Sequence, residues 1–176
     1  LRQTALLVGS GLRSGTEKGA FRTWALLWFL ALATGVLALS DKAEIYALNV
    51  GEIEEMHVDM AYWIRENTPQ EALIASHDVG ALGYFSGRRV VDTVGLMTPE
   101  ILEFLPHGEA PDEGVLEYLR LVKPEYVIIM PAWYPRLAGM TLLLQPVHEE
   151  EIDRSARTIT AGDRLVAYRT TFSGAN

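Results

Sequence analysis

The sequence has 176 residues, a formal net charge of −8 and no cysteine. The lack of cysteine excludes a disulfide framework, thiolate zinc sites and cysteine catalysis. The charge is uneven: residues 1–40 carry four basic and one acidic side chain, and residues 41–176 carry the other 11 basic and 22 acidic side chains. An acidic domain of this kind repels phosphate backbones, so we expect no nucleic acid partner.

A long apolar run lies between these two regions. Residues 24–39, WALLWFLALATGVLAL, contain no charged side chain. A helix needs roughly 20 residues to cross about 30 Å of hydrocarbon, which residues 21–40 provide. The run predicts a transmembrane helix over 23–40, in contact with membrane lipid. A buried core helix and the apolar part of a signal peptide remain alternatives.

The basic flank sets the expected orientation of this helix. Basic residues favour the cytoplasmic side, so residues 1–22 are predicted in the cytoplasm and residues 41–176 form an extracytoplasmic domain at the cell (inner) membrane. The sequence begins at Leu1 rather than at methionine, and we therefore expect a fragment or a processed chain.

The first part of residues 41–176 predicts a β-α-β unit. Residues 41–51 are predicted as a connector, and the three-and-four spacing of apolar residues over 52–67 predicts a helix, with His57 and Asp59 on its solvated side. The two strands of the unit are predicted at 72–76 and 88–92. The short helix between them is expected to have Asp78 as its cap and Gly87 as its end, because a carboxylate accepts free amide hydrogens and glycine tolerates positive φ.

The remaining elements repeat this rhythm. Helices are predicted at 98–105 and 115–124, a strand buried on both faces at 125–131, and later strands around 142–152, 156–160 and 163–170, the last two as an antiparallel hairpin. The predicted fold class is α/β: a small, mostly parallel three-layer sheet with an antiparallel edge hairpin, preceded by one transmembrane helix.

Polar and aromatic side chains follow the predicted strands, where ligands bind in parallel sheets. The candidate ligand-binding residues are His77, Asp78, Asp92, Thr93, Trp133 and Tyr134. Carboxylates beside aromatic faces suit a sugar, through hydroxyl hydrogen bonds and stacking.

Structural interpretations of the same residues stay open. Asp78 serves equally well as a helix cap, and His77 can pair with Asp92 to tie two strand ends together. A free-standing enzyme would use His77 and Asp92 as acid-base groups. The sequence does not place His57, His107 and His148 at metal-ligand spacing, and it contains no dinucleotide fingerprint or nucleophile elbow, so we expect neither a metal ion nor a cofactor.

Two stretches carry a resemblance to a known family. They are residues 62–101, YWIRENTPQEALIASHDVGALGYFSGRRVVDTVGLMTPEI, and residues 123–135, KPEYVIIMPAWYP. The shared residues are Trp63, Ile64, Pro69, Asp78, Gly80, Gly83, Tyr84, Asp92, Gly95, Leu96 and Pro99. Together these stretches resemble the extracytoplasmic C-terminal region of bacterial GT-C type membrane glycosyltransferases, similar to protein mannosyltransferases and the aminoarabinose transferase.

The resemblance implies a function and a restriction. Such enzymes take sugars from polyprenyl-phosphate donors, and their catalytic acid lies in an early external loop that nothing in this sequence matches. We therefore assign no catalytic residue. The resemblance implies an accessory domain that shapes the acceptor side, with the upstream transmembrane portion of the same polypeptide and a glycan or lipid-linked sugar as partners. A glycan-binding module is the alternative.

Overall fold

The computed structural model describes residues 4–105, 112–153, 159–160 and 162–172, with side chains from residue 18 onward. The chain divides into two compact units, Leu1–Ala47 and Leu48–Asn176. The boundary falls within the first helix, α1, which covers Thr4–Ile53.

Helix α1 is long and apolar enough to cross a membrane, by length and composition. Its most apolar window has a mean hydropathy of 1.8, and no part of that window is buried. The predicted transmembrane segment, 23–40, lies wholly within α1. The predicted connector at 41–51 is wrong, because these residues continue α1. Alanine, leucine, glutamate and lysine are strong helix formers, and they outweigh the single Gly51.

The second unit contains a π-helical turn, α-helices, a 3-10 helix and five strands. In chain order after α1 these are the π-helical turn Glu54–Val58, α2 (Asp59–Asn67), β1 (Leu73–Ser76), α3 (Gly80–Phe85), β2 (Arg89–Asp92), the 3-10 helix Pro99–Glu103, α4 (Asp112–Val122), β3 (Tyr126–Ile129), α5 (Pro135–Ala138), β4 (Leu144–Glu151) and β5 (Arg164–Thr170).

The strands form one mixed sheet in the order β2-β1-β3-β5-β4. Strand β1 pairs in parallel with β2 and with β3, and β5 pairs antiparallel with β3 and with β4. In register, Ser76 lies opposite Asp92 on one side and Ile128 on the other. The carboxyl ends of three parallel strands therefore meet at one edge of the sheet.

Apolar side chains pack on both faces of this sheet. Along β3, Tyr126 and Ile128 join one cluster, whereas Val127 and Ile129 join the other. The first cluster contains α2 residues such as Met60 and Ile64, and the second contains α4 residues such as Val115 and Leu119. All four β3 side chains are buried, because the strand is covered on both sides. The domain therefore has three layers.

The α/β class, the β-α-β unit and an antiparallel hairpin at one edge are confirmed. The sheet is mixed rather than mostly parallel, with two parallel and two antiparallel pairings. Gly87 ends the crossover with φ +63. The helix predicted at 98–105 is instead a five-residue 3-10 helix. The strand predicted at 156–160 lies outside the described residues up to 158, and residues 159–160 are not in a strand. The hairpin partner of β5 is β4.

Candidate functional site

The carboxyl edge of the sheet brings several of the predicted site residues together. His77 directly follows β1, and its ring centroid lies 4.9 Å from that of Trp133 and 5.6 Å from that of Tyr134, which follow β3. The register of β1 and β3 causes this contact, because it aligns the two strand ends. The predicted meeting of imidazole and aromatic faces is therefore present.

A cavity of about 310 Å³ opens beside this cluster. Its polar lining comes from His57, His77, Asp78 and Thr160, and its apolar lining comes from Ile53, Met130, Trp133 and Ile159. It is amphipathic, with a few polar groups set among apolar walls, which is the usual composition of a small-molecule site.

His57 is the site residue that the sequence-based prediction missed. It was expected on a solvated helix face, but the side chain is only 2% exposed. Its Nε2 atom lies 2.9 Å from Asp78 Oδ2. His57 belongs to the π-helical turn, which inserts an extra residue and buries Met56 and His57 side by side. Sequence periodicity gives no signal for such a turn.

His77 is held as a neutral imidazole. The side chain is buried, and burial lowers its pKa from 6.5 to about 4, outweighing the opposing effect of the Asp78 charge. Its Nδ1 atom is buried and has no hydrogen-bond partner among the described residues. This nitrogen is enclosed by protein atoms and does not open onto the cavity, and leaving it unpaired is costly. A hydrogen bond between the ring and the Ile128 backbone favours the protonated form, but burial outweighs it.

Asp78 is an ionised carboxylate at the rim of the cavity. Its pKa is lowered, first by the contact with His57, although partial burial opposes the shift. The predicted cap is present only in part: Val79 occupies the cap position with no side-chain cap hydrogen bond, but the backbone of Gly80, the first residue of α3, also lowers the pKa of Asp78. The carboxylate faces His57 instead because Ser76 holds the turn, with Asp78 N donating to Ser76 Oγ at 3.1 Å.

Asp92 organises a loop and does not face the cavity. Its carboxylate is fully buried, and its two oxygens each accept an amide, from Val94 and from Met97, at 2.7 Å. No hydrogen bond joins it to His77 within the part of the chain that the structure describes. The predicted His77–Asp92 pair, whether as a strand tie or as acid-base machinery, therefore does not form.

Thr93 and Tyr134 also lie in the interior rather than on the cavity wall. Thr93 is buried, and its amide donates to Ser76 O at 2.9 Å, which ties the end of β2 to the end of β1. Tyr134 is buried under His77, and burial raises the pKa of its hydroxyl, with the neighbouring Thr93 side chain opposing that shift. Neither residue lines the cavity, but each contacts a residue at the end of β1 or just after it.

A buried glutamate holds one wall of the cavity in place. The Glu52 carboxylate accepts the amides of Ile159 and Thr160, at 3.0 and 3.2 Å. This contact joins residues more than a hundred positions apart, and it fixes a short segment of the cavity lining. Glu52 therefore acts on the site through Ile159 and Thr160.

The donor set does not match a metal centre. Among the residues that the structure describes, no group of three histidine or carboxylate side chains is placed to hold a metal ion. His148 is occupied elsewhere: it stacks on Trp63 with ring centroids 4.5 Å apart, and its Nε2 lies 2.6 Å from Glu150. His107 lies outside the described residues.

Comparison with known proteins identifies one family. The family described as "Domain of unknown function (DUF8728)" matches residues 44–171. The chain belongs to this family. The matched region begins within α1, ends just after β5 and includes every residue that lines the cavity. No curated protein and no solved structure matches the chain.

Proposed function

We propose that the chain is the membrane-attached terminal part of a polyprenyl-phosphate-sugar-dependent glycosyltransferase. In this proposal the DUF8728 domain lies on the extracytoplasmic side of the cell (inner) membrane and shapes the acceptor side. It supplies no catalytic acid, and the upstream transmembrane portion of the same polypeptide is its main partner.

The order of the segments along the chain is the observation that supports this proposal. A basic flank precedes an apolar helix, and an acidic α/β domain follows it. Residues 1–40 have a net charge of +3 and residues 41–176 a net charge of −11, from four basic minus one acidic and 11 basic minus 22 acidic side chains. Basic residues are retained on the cytoplasmic side, so this order favours an external domain. The proposed glycosyltransferase activity is inferred from the resemblance of residues 62–101 to GT-C type enzymes.

The protonation states at the cavity support an accessory role. Asp78 has a lowered pKa and stays ionised near neutral pH, so it is not poised to donate a proton. His77, with a pKa of about 4, is a weak base at that pH. Efficient acid-base catalysis requires groups whose pKa lies near the working pH. These groups suit recognition better than proton transfer.

A transfer assay tests the proposal. Membranes containing only the 176-residue chain are compared with membranes containing the product of its gene as encoded. Both receive a polyprenyl phosphate that carries a radiolabelled sugar, together with envelope acceptors. We expect transfer with the encoded product and none with the 176-residue chain, because the catalytic acid lies outside it.

Two outcomes would contradict the proposal in different ways. Transfer by the 176-residue chain alone would show that the domain is catalytic rather than accessory. An encoded product that transfers no sugar from a panel of polyprenyl-phosphate donors, while present at normal levels in the membrane, would remove the glycosyltransferase assignment.

A further inference from the structure

We infer that the cavity between His57, His77, Asp78 and Trp133 is a binding site for a neutral, hydroxyl-rich ring, such as a single pyranose unit. This inference does not rest on the glycosyltransferase proposal, because it follows from the walls of the cavity alone. A glycan-recognising domain would serve equally well in another envelope protein.

The polar groups of the cavity suit hydroxyls. Asp78 presents a carboxylate that is 38% exposed, and Thr160 adds a hydroxyl to the lining. A hydroxyl both donates and accepts, so adjacent hydroxyls on one ring can donate to the Asp78 carboxylate and bond with the Thr160 hydroxyl, which lines the same cavity. His57 fixes the carboxylate in place from behind, at 2.9 Å. The polar end of the site is therefore built before a ligand arrives.

The apolar walls suit the carbon face of a ring. Trp133 is 43% exposed, although it packs against the buried His77 ring. Met130 and Ile53 line the same cavity. A pyranose has one face of C–H groups that packs on an aromatic surface while its hydroxyls point outward. The volume of about 310 Å³ lies at the lower end of the roughly 300–1,000 Å³ range of ligand pockets, which favours one ring over a long chain.

Charge excludes the main alternatives. Within the described residues the lining contains no lysine or arginine, and it contains the Asp78 carboxylate. A phosphate group would meet this carboxylate, and the imidazole beside it, His57, already contacts Asp78, so anions are disfavoured. A cation would gain only from Asp78, which His57 already contacts. An uncharged ligand leaves the contact between His57 and Asp78 intact and adds no charge that needs a partner.

The π-helical turn is an independent sign that this position is functional. It carries both Met56 and His57 into the interior next to the cavity. A π turn costs helix stability, and such turns recur at functional sites. Here it places the imidazole that holds Asp78, which an uninterrupted α-helix would direct elsewhere.

Saturation-transfer NMR tests the inference on the full chain in phosphatidylcholine nanodiscs. These nanodiscs avoid the sugar headgroups of maltoside detergents. The probes are methyl α-D-mannopyranoside and methyl β-D-glucopyranoside, with cyclohexanol, cyclohexylammonium and inorganic phosphate as comparison ligands, and empty nanodiscs as the blank. We expect a Kd of about millimolar for at least one glycoside, and weaker binding of cyclohexanol.

Two variants locate the binding. Trp133→Ala and Asp78→Asn should each weaken glycoside binding about tenfold, because each removes one contact from the ring. Tyr84→Ala and Glu113→Gln are matched controls, since they remove an exposed aromatic ring and an exposed carboxylate from outside the cavity. Both controls should bind like the original chain. Should Trp133→Ala fail to fold, Trp133→Phe replaces it, with a smaller expected loss.

Three results would overturn the inference. The first is no signal from either glycoside well into the millimolar range. The second is tighter binding of cyclohexylammonium or phosphate than of the glycosides, which would make the cavity an ion site. The third is glycoside binding that Asp78→Asn and both Trp133 variants leave unchanged, which would place the ligand elsewhere on the chain.

Discussion

Burial of the His77 imidazole makes the free energy of unfolding of the domain depend on pH. The His77 ring packs against Trp133 and Tyr134, and its pKa is about 4, against 6.5 when it is exposed. Between pH 4 and 6.5, His77 is protonated in the unfolded chain but neutral in the folded chain. The contribution of His77 to stability is therefore greatest above pH 6.5 and is lost as the pH falls from 6.5 toward 4.

We expect this loss to reach roughly 3 kcal/mol, since each unit of pKa difference corresponds to about 1.4 kcal/mol. His77→Gln should remove most of the dependence between pH 6.5 and 4, because no proton is then taken up there. Thermal unfolding of the full chain in nanodiscs, followed by tryptophan fluorescence at several pH values, measures it. Asp78 does not interfere, because its pKa lies below the ordinary 3.8 and it acts only in stronger acid.

His148→Gln serves as the control for this experiment. It removes another histidine that stacks on a tryptophan and contacts a carboxylate, but it leaves His77 in place. The steep decline between pH 6.5 and 4 should persist in this variant. If His77→Gln kept the same decline as the original chain, the buried imidazole would not be its source.

The helix between β1 and β2 depends on one glycine. Gly87 follows α3 with φ +63, and a Cβ built there would meet no atom within 4 Å. Any cost of substitution therefore arises from the backbone conformation rather than from a clash. A β-branched residue is strained in this region, whereas asparagine tolerates it.

We expect Gly87→Val to destabilise the domain by about 1 kcal/mol or more, and Gly87→Asn to cost clearly less. The measurement is the shift in thermal midpoint of each variant at neutral pH. The two substitutions form a matched pair at one position. Equal shifts for valine and asparagine would show that the left-handed backbone is not what the position requires.

A second contact fixes the same crossover to α2. Arg88 follows Gly87, and its guanidinium donates to the carbonyls of Arg65 and Thr68 at 2.7 and 2.8 Å. These carbonyls lie at the end of α2, where helix carbonyls lack partners in the helix. The start of β2 is thereby attached to the helix that covers one face of the sheet.

At the scale of the whole molecule, membrane crossing is the property that matters most for the proposed function. The helix is long and apolar enough to span, and the charges on its two sides differ in sign. We expect residue 18 and the DUF8728 domain to lie on opposite sides of the membrane. The absence of native cysteine makes single-cysteine labelling unambiguous.

The experiment labels Lys18→Cys and Glu117→Cys with a membrane-impermeant maleimide in right-side-out vesicles. Both positions are exposed, so neither substitution disturbs the core. Position 117 should react at once, and position 18 only after the vesicles are opened. Immediate labelling of both would mean that the helix does not span, and the opposite pattern would reverse the proposed orientation.

Local sequence patterns determined much of this protein. The apolar run at 24–39 specifies a helix able to cross a membrane, because its length and composition suffice. The uninterrupted apolar residues of β3 specify a strand covered on both faces. Gly87 marks a helix end, because few other residues adopt its conformation. Each property depends on neighbours in the chain.

Only the tertiary structure decided the composition of the site. Asp78 and Asp92 both stand near strand ends, yet one faces His57 and the other binds two loop amides. His57 is buried because a π-helical turn changes which side chains face the core. Ile159 and Thr160 reach the cavity through Glu52, more than a hundred residues earlier. These choices depend on long-range packing and hydrogen bonding, which the periodicity of a single sequence does not encode.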